Sequence, residues 1–382
     1  MIEQILEKFN IEGELIDYKK NNSGNINKTY VATFRKKDNT ERKYLIQKIN
    51  TKVFTEPYKL MKNIEGVTTY LKKQMVKSGD TTHKVLEVVK TKEGKSLCYI
   101  TSASDTREYY RIYEYIDNSI SYDQSIDKKI VYNTGKAFGN FQKLLRNYPM
   151  NKLEETIKDF HNTPVRYKKL MDDIKFDTEG RVLEVAKEIV FILMREDTCS
   201  LIMDDLNEGD IPYRVTHNDT KVNNVMMNKD TGDFLAVIDL DTVMPGSMLF
   251  DYGDGIRSTS STASEDEKDL SKVSINLELF EAYTDGYLSE MTPYLKYEEV
   301  ILMAESIRII TLELAIRFLN DYINGDTYFK IDYDTHNLDR ARNQIELVKD
   351  IEGKMDYMNT YILKKYGDYL KEYKKKMKVL KK

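Results

Sequence analysis

Up to about residue 116, apolar and polar positions alternate in short runs, the period-two pattern of half-buried strands. Glu14–Lys19, Lys28–Phe34 and Lys43–Ile49 read as strands, with a turn over Lys36–Glu41. Lys84–Lys90 and Lys95–Thr101 are predicted to form a hairpin around Glu93-Gly94, and Arg107–Ile116 an aromatic strand. Helical spacing predicts a short helix over Met1–Phe9 and a longer one from about Pro57 to Lys77. Together these make a five-stranded antiparallel sheet with one inserted helix. Beyond Asn118 the period changes to that of helices, over roughly Asp127–Leu145, Gly180–Arg195, Asp266–Tyr287 and Tyr297–Asn324. The change predicts an α+β chain of two lobes, residues 1–116 and 117–382, without internal repeats or low-complexity linkers.

One run departs from both periods. His217-Asn218-Asp219-Thr220-Lys221-Val222-Asn223-Asn224 has the spacing H-x-D-x-x-x-x-N, and Asp239 follows on a short apolar strand, Phe234–Ile238, 20 residues after Asp219. Asn and Asp favour turns, so the run alone reads as turn chemistry. Its flanks change that reading. Apolar segments stand on both sides, Ile211–Val215 and Val225–Met227, and the turn Asp230-Thr231-Gly232 precedes the next strand. A strand-loop-strand-turn-strand unit of this kind can bring a general base, Asp219, and two metal ligands, Asn224 and Asp239, to one triphosphate. The spacing implies an ATP-dependent phosphotransferase using magnesium, with a two-lobed protein-kinase-like fold.

Other expected ATP contacts lie in the first lobe. The Asn/Gly segment between the first two strands, with Gly24 and Asn25, is the candidate phosphate cover, because a backbone without Cβ can approach phosphate oxygens. Lys48 stands where a third-strand lysine would reach the α- and β-phosphates, with Glu56 and Glu65 as candidate helix partners. Tyr113 and Tyr115 mark the lobe junction, where backbone groups could read the adenine edge. Asp241, two residues after Asp239, shares its face if the strand continues. Asn218 replaces the Arg of H-R-D, the strand ends I-D-L-D rather than D-F-G, and no G-x-x-x-x-G-K-[ST] occurs. A small-molecule kinase fits better than a protein kinase or a P-loop enzyme.

Composition narrows the surroundings. Net charge is −4 with both signs spread throughout, which offers nucleic acid no overall field. No stretch approaches ~20 uninterrupted apolar residues, so no membrane span is expected. Two isolated cysteines, Cys98 and Cys199, suit a reducing cytoplasm, and four scattered His argue against a zinc site. The Lys-rich end, Lys364–Lys382, carries Tyr and Leu at helical spacing and reads as a solvated helix end.

The H-x-D-x-x-x-x-N plus I-D pair resembles the aminoglycoside phosphotransferase and choline kinase superfamily. Within it, several blocks are similar to the bacterial N-acetylhexosamine 1-kinase family: Asn22–Asn27, Gln47–Thr51, Phe160–Pro164, Val215–Asn224, Val237–Gly246, Asp251–Arg257 and Arg317–Phe329. The resemblance implies phosphorylation of the anomeric hydroxyl of N-acetylglucosamine or N-acetylgalactosamine by ATP and magnesium. It makes Asp219 the base, Asn224 and Asp239 the metal ligands, and Asp241, Arg317 and Tyr328 the sugar contacts. Another acceptor (choline, homoserine, methylthioribose or an aminoglycoside) is the alternative, and a non-catalytic nucleotide-binding module a third.

Overall fold

The computed structural model describes residues 2–21, 26–102 and 105–380. A short helix α1 (Ile2–Leu6) precedes three antiparallel strands, β1 (Glu14–Asn21), β2 (Lys28–Arg35) and β3 (Glu41–Lys48). Helix α2 (Pro57–Ser78) follows. Proline at its first turn has no N–H to leave orphaned, and Gly79 ends it in the left-handed region at φ +70°. Strands β4 (Val88–Val89), β5 (Cys98–Thr101) and β6 (Arg107–Glu114) complete the sheet.

The sheet has six strands, and the predicted hairpin does not form. The turn at Gly94 is present, with its N–H donating to Thr91 O at 2.8 Å. Its two arms, however, lie end to end along one edge of β6, in the registers Cys98↔Tyr110 and Val88↔Tyr113. The other edge of β6 pairs with β3, placing Gln47 opposite Arg111 and Lys48 opposite Tyr110.

Both faces of this sheet are covered. Ala32, Phe34, Tyr44, Ile46, Tyr110 and Ile112 pack with Ile2, Ile5 and Phe9. The alternate residues, Leu45, Tyr109 and Tyr113, face α2 and meet Leu60, Met61 and Ile64 from it, with Leu240 and Val243 from the second lobe. Period-two alternation puts Gln47 and Arg111 on the face toward the second lobe and Lys48 on the other.

The chain then crosses through β7 (Ser119–Ile120) into a mainly helical region. Helix α3 (Lys128–Leu145) is capped by Asp127, whose carboxylate accepts from Lys129 N at 2.7 Å. Helices α4 (Thr163–Phe176), α5 (Ala186–Leu193) and α6 (Glu196–Glu208) lead to the short strands β8 (Arg214–Thr216), β9 (Val225–Asn228), β10 (Phe234–Val237) and β11 (Met244–Gly246). β10-β9-β7 and β11-β8 are small antiparallel sheets that frame the His217–Asn224 loop. Helices α7 (Met248–Ser260), α8 (Leu277–Met291), α9 (Tyr297–Ile301), α10 (Met303–Ile323) and α11 (His336–Leu380) build the rest.

Where these differ from expectation the reasons are local. Helix α5 is shorter than Gly180–Arg195 because Val182–Val185 winds as a 3₁₀ turn. Helix α8 starts at Leu277 rather than near Asp266 because Asn276 caps it, accepting from Glu278 and Leu279 N–H. The Tyr297–Asn324 stretch breaks at Leu302 into two helices. Helices α4, α6 and α7 were not expected. α7 is buried almost all round, so it shows no amphipathic stripe. The Lys-rich end is helical through Leu380, with Lys371–Val379 exposed. No helix among the described residues is long and apolar enough to cross a membrane.

Candidate active site

The loop after β8 is held from beneath by a buried carboxylate. Asp251, on the first turn of α7, accepts from the N–H of His217 at 2.9 Å and of Asn218 at 2.7 Å, and from the Gln142 amide at 2.6 Å. Burial raises its carboxyl above the ordinary range despite these donors. The Thr220 hydroxyl donates to Asp251 O, and Thr220 N–H to Asp254. The His217 ring lies edge-on to Phe138 and Phe141, with Nε2 2.9 Å from Ile238 O. The Thr242 hydroxyl donates to His217 O, and the Asn218 amide to Thr242 O. The Asp219 loop and the Asp239 segment are therefore one hydrogen-bonded unit. Asn218 and Asp239 take left-handed φ of +64° and +56°, which short polar side chains tolerate.

Asp219, Asn224 and Asp239 come together in this unit. Asn224 donates its side-chain amide to Asp219 O at 2.8 Å and Oδ2 at 3.0 Å, which leaves its carbonyl oxygen as the atom available to a cation. Ile238 N–H donates to Asn224 O at 2.9 Å, so Asp239 follows directly beside it. Asp239 borders open cleft, yet surrounding protein displaces much of its water. That burial, with the negative charges of Asp241 and Asp219, raises its carboxyl to about 7. Among the described residues no three His, Cys, Asp or Glu form a ready-made metal cage. One or two carboxylates with an amide oxygen are the donor set of a hard divalent cation that completes its shell with phosphate and water.

The sequence singled out no role for Lys221. Its Nζ lies 3.0 Å from Asp219 Oδ1, and the Asp219 charge, with Glu265 and Asp254 behind it, raises its ammonium above the ordinary range. With Asn224 on Oδ2, both Asp219 oxygens are engaged.

The expected ATP contacts divide. Gly24 and Asn25 lie outside the described residues. Lys48 is not brought to the site: its ammonium pairs at 2.6 Å with Glu108, which also accepts from the Tyr110 hydroxyl, on the sheet face turned away from α2. Neither Glu56 nor Glu65 is its partner; they pair with Lys59 and Lys90. The buried cation on the cleft face is Arg111, 1% exposed. The Tyr113 ring is in the core, with the Arg111 guanidinium 5.1 Å from its centroid. Tyr115 donates its N–H to Lys43 O at 3.2 Å, and Glu114 donates to Glu87 O at 2.9 Å, so both amides serve the sheet.

The three expected acceptor contacts also separate. The Asp241 carboxylate is buried against Arg111, at 2.6 and 2.8 Å. Arg317 sits over the rings of Phe160 and Phe329, 5.2 and 5.6 Å from their centroids. Its approach to Glu313 is only 4.0 Å, because that buried carboxylate already accepts from Thr163 at 2.7 Å and meets His161 Nδ1 at 2.8 Å. Burial pushes Glu313 up, but the His161 and Arg317 charges outweigh it and hold it below the usual range. His161 Nε2 lies 3.2 Å from Asn218 O, which ties this wall to the Asp219 loop. Arg166 stands on the same wall; its guanidinium is lowered by burial and by the Arg317 charge, and its buried Nε has no protein partner. Tyr328 is 59% exposed, on a turn whose N–H groups bind the Asp321 carboxylate.

A six-stranded lobe with one inserted helix, a helical second lobe and this loop between them define a protein-kinase-like phosphotransferase fold. Residues 17–293 match the phosphotransferase enzyme family, and the chain belongs to it. It is similar to a microcompartment-associated aminopropanol kinase at 16% identity (TM-score 0.63, covering 93% of this chain and 97% of that one). An amicoumacin kinase in complex with AMP-PNP, Ca²⁺ and Ami matches at 13% identity (TM-score 0.57, 92% of each chain). A spectinomycin phosphotransferase in complex with ADP and spectinomycin matches at 11% (TM-score 0.54, 90% of this chain and 94% of that one). At these identities the likeness concerns the fold.

Proposed function

We propose that the protein transfers the γ-phosphoryl group of ATP to the anomeric hydroxyl of an N-acetylhexosamine. The observation carrying this reading is the junction of Asp219, Asn224 and Asp239 in one hydrogen-bonded unit facing the cleft. Asp219 is the group to receive the hydroxyl proton. An anomeric hydroxyl is more acidic than an ordinary alcohol, so a carboxylate suffices as base. Asn224 and Asp239 are the groups to hold magnesium, which when bound neutralises charge on the phosphates. Each Asp219 oxygen carries one contact and keeps a lone pair for the hydroxyl proton, and the incoming phosphates offer the Lys221 ammonium an alternative anion.

The acceptor side favours a sugar over an amine. Arg166 and Arg317 stand near one buried carboxylate, Glu313, that His161 and Thr163 already occupy. Choline, aminoalcohols and aminoglycosides are cationic at neutral pH and would meet like charge there. An acetamido carbonyl would accept from guanidinium donors instead. Arg317 and Tyr328 are the residues proposed to contact the sugar.

ATP consumption with magnesium, measured against GlcNAc, GalNAc, glucose, choline, homoserine and kanamycin, tests the proposal, with the product read by phosphorus NMR. An anomeric phosphate on an N-acetylhexosamine supports it. Turnover confined to an amine acceptor overturns the sugar assignment.

A further inference from the structure

Asp241 is two residues from a proposed metal ligand, yet its carboxylate turns into the first lobe. Arg111 grips it with Nη1 to Oδ1 at 2.6 Å and Nη2 to Oδ2 at 2.8 Å, and both residues are at most 3% exposed. The rest of the guanidinium is fixed by Gln47 Oε1, at 3.0 Å from Nε and 2.8 Å from Nη2, and the Gln47 amide donates to Thr29 on β2. Asn27 donates to Asp241 Oδ2 at 2.7 Å, while its own carbonyl oxygen accepts from Asn50 N–H at 3.0 Å. Asn27 begins β2's approach immediately after the Asn22–Asn25 segment. Asn50 joins β3 to α2. Three strands and two connections of the first lobe thus converge on one carboxylate of the second.

The backbone just after Asp241 is tied to both lobes. Thr242 is bonded to both His217 and Asn218, and Val243 O accepts from Asn63 on α2 at 3.0 Å. Leu240–Thr242 is a single tight turn, so a displacement of the Asp241 side chain is passed to Asp239 within one turn of chain.

We infer that Arg111 and Asp241 form a latch that couples the first lobe to the metal-holding segment. Arg111 acts as a positioning residue for Asp239, and Asp241 is no contact of the acceptor. This inference rests on the phosphotransferase reading and deepens it. A buried ion pair, hydrogen-bonded through Nη2 with Nη1 close to the second oxygen, suits the task because removing one partner strands the other charge away from water. Outer groups that fix a metal ligand commonly matter 10–100-fold in roughly this way for metal affinity.

The test is calorimetric titration of ADP with and without magnesium into the full-length protein and into R111M, D241N, R111M/D241N and N27A. The titration itself needs no acceptor, and the acceptor KM of D241N is read separately with the acceptor that wild type turns over. The latch predicts that R111M and D241N each weaken magnesium-dependent ADP binding by roughly tenfold or more, with the double variant no weaker than the worse single one. ADP binding without magnesium changes little, and the acceptor KM of D241N stays within about twofold of wild type. R111M/D241N removes both charges together, so it reads the coupling even where R111M alone fails to fold, and N27A loosens Asp241 without touching Arg111. Unchanged magnesium-dependent binding in D241N with a raised acceptor KM overturns the latch and returns Asp241 to the acceptor site. A wild-type protein that binds no ADP in magnesium overturns the phosphotransferase reading itself.

Discussion

Asn224 holds Asp219 by two hydrogen bonds from one amide nitrogen, to the backbone oxygen at 2.8 Å and the carboxylate at 3.0 Å. A proposed metal ligand and a proposed base are therefore fixed against each other before any substrate arrives. Such preorganisation is worth more than raw basicity, because phosphoryl transfer asks chiefly for alignment and charge neutralisation.

Asp219→Asn keeps the shape of that contact and removes the proton acceptor. Turnover is expected to fall by roughly 10²–10⁴-fold, with magnesium-ADP affinity nearly unchanged. Asn224→Ala should lower turnover and also raise the magnesium needed for half-saturation, since it removes a metal oxygen and frees Asp219. Steady-state kinetics with a magnesium titration separates the two variants, and near-normal turnover in Asp219→Asn would dismiss its role as base.

On the acceptor wall, Arg317→Met removes a guanidinium stacked over Phe160 and Phe329. The acceptor KM should rise about tenfold or more, some 1.4 kcal/mol, while the KM for ATP holds. The same change should improve, or leave untouched, any trace activity on a cationic acceptor. A variant whose ATP KM rises while its acceptor KM does not would remove Arg317 from the acceptor site.

Packing between α3 and α8 depends on missing side chains. A Cβ on Gly286 would lie 2.0 Å from Tyr132 O, and one on Gly135 2.2 Å from Tyr283 O, so backbone must separate in either case. Gly286→Ala is expected to destabilise the fold by about 1–3 kcal/mol, seen as a lowered melting temperature with unchanged turnover per folded molecule. An unshifted melting curve would show that the two helices part at little cost.

The site loop was legible in sequence because its chemistry is local. Asp219, Asn224 and Asp239 lie within one strand-loop-strand-turn-strand unit whose spacing alone forces them together. Lys48 was not legible in the same way. β3 is covered on both faces, so Tyr44, Ile46 and Leu45 are all apolar-lined and the alternation gives no phase. Only the side on which α2 lies decides that Gln47 and Arg111, not Lys48, face the second lobe. Asp251 and His161 stood inside blocks of family resemblance, but nothing in their spacing gave either a role. A carboxylate that binds two backbone N–H groups 33 and 34 residues away has no spacing to betray it, and α7, which carries it, has no exposed face to set a helical period.

The raised Asp239 carboxyl makes stability depend on pH in a definite direction. In the unfolded chain this group releases its proton near its ordinary value of 3.8, whereas in the folded, metal-free protein it holds it to about 7. Between those limits the folded state binds more protons, so this group's contribution to stability falls as pH rises and levels off above about 7. Asp239→Asn has no such term. In chelator-treated protein the melting temperature of Asp239→Asn should match wild type near the lower limit, exceed it progressively toward the upper one and keep a constant margin beyond it, by a few degrees at most because the open cleft screens part of the charge. Magnesium with ADP should reverse the order, stabilising wild type and leaving the variant nearly unmoved. Thermal melts across this pH range decide the matter: parallel curves for the two proteins would mean that Asp239 titrates as an ordinary solvated carboxylate and that its neighbours Asp219 and Asp241 exert little force on it.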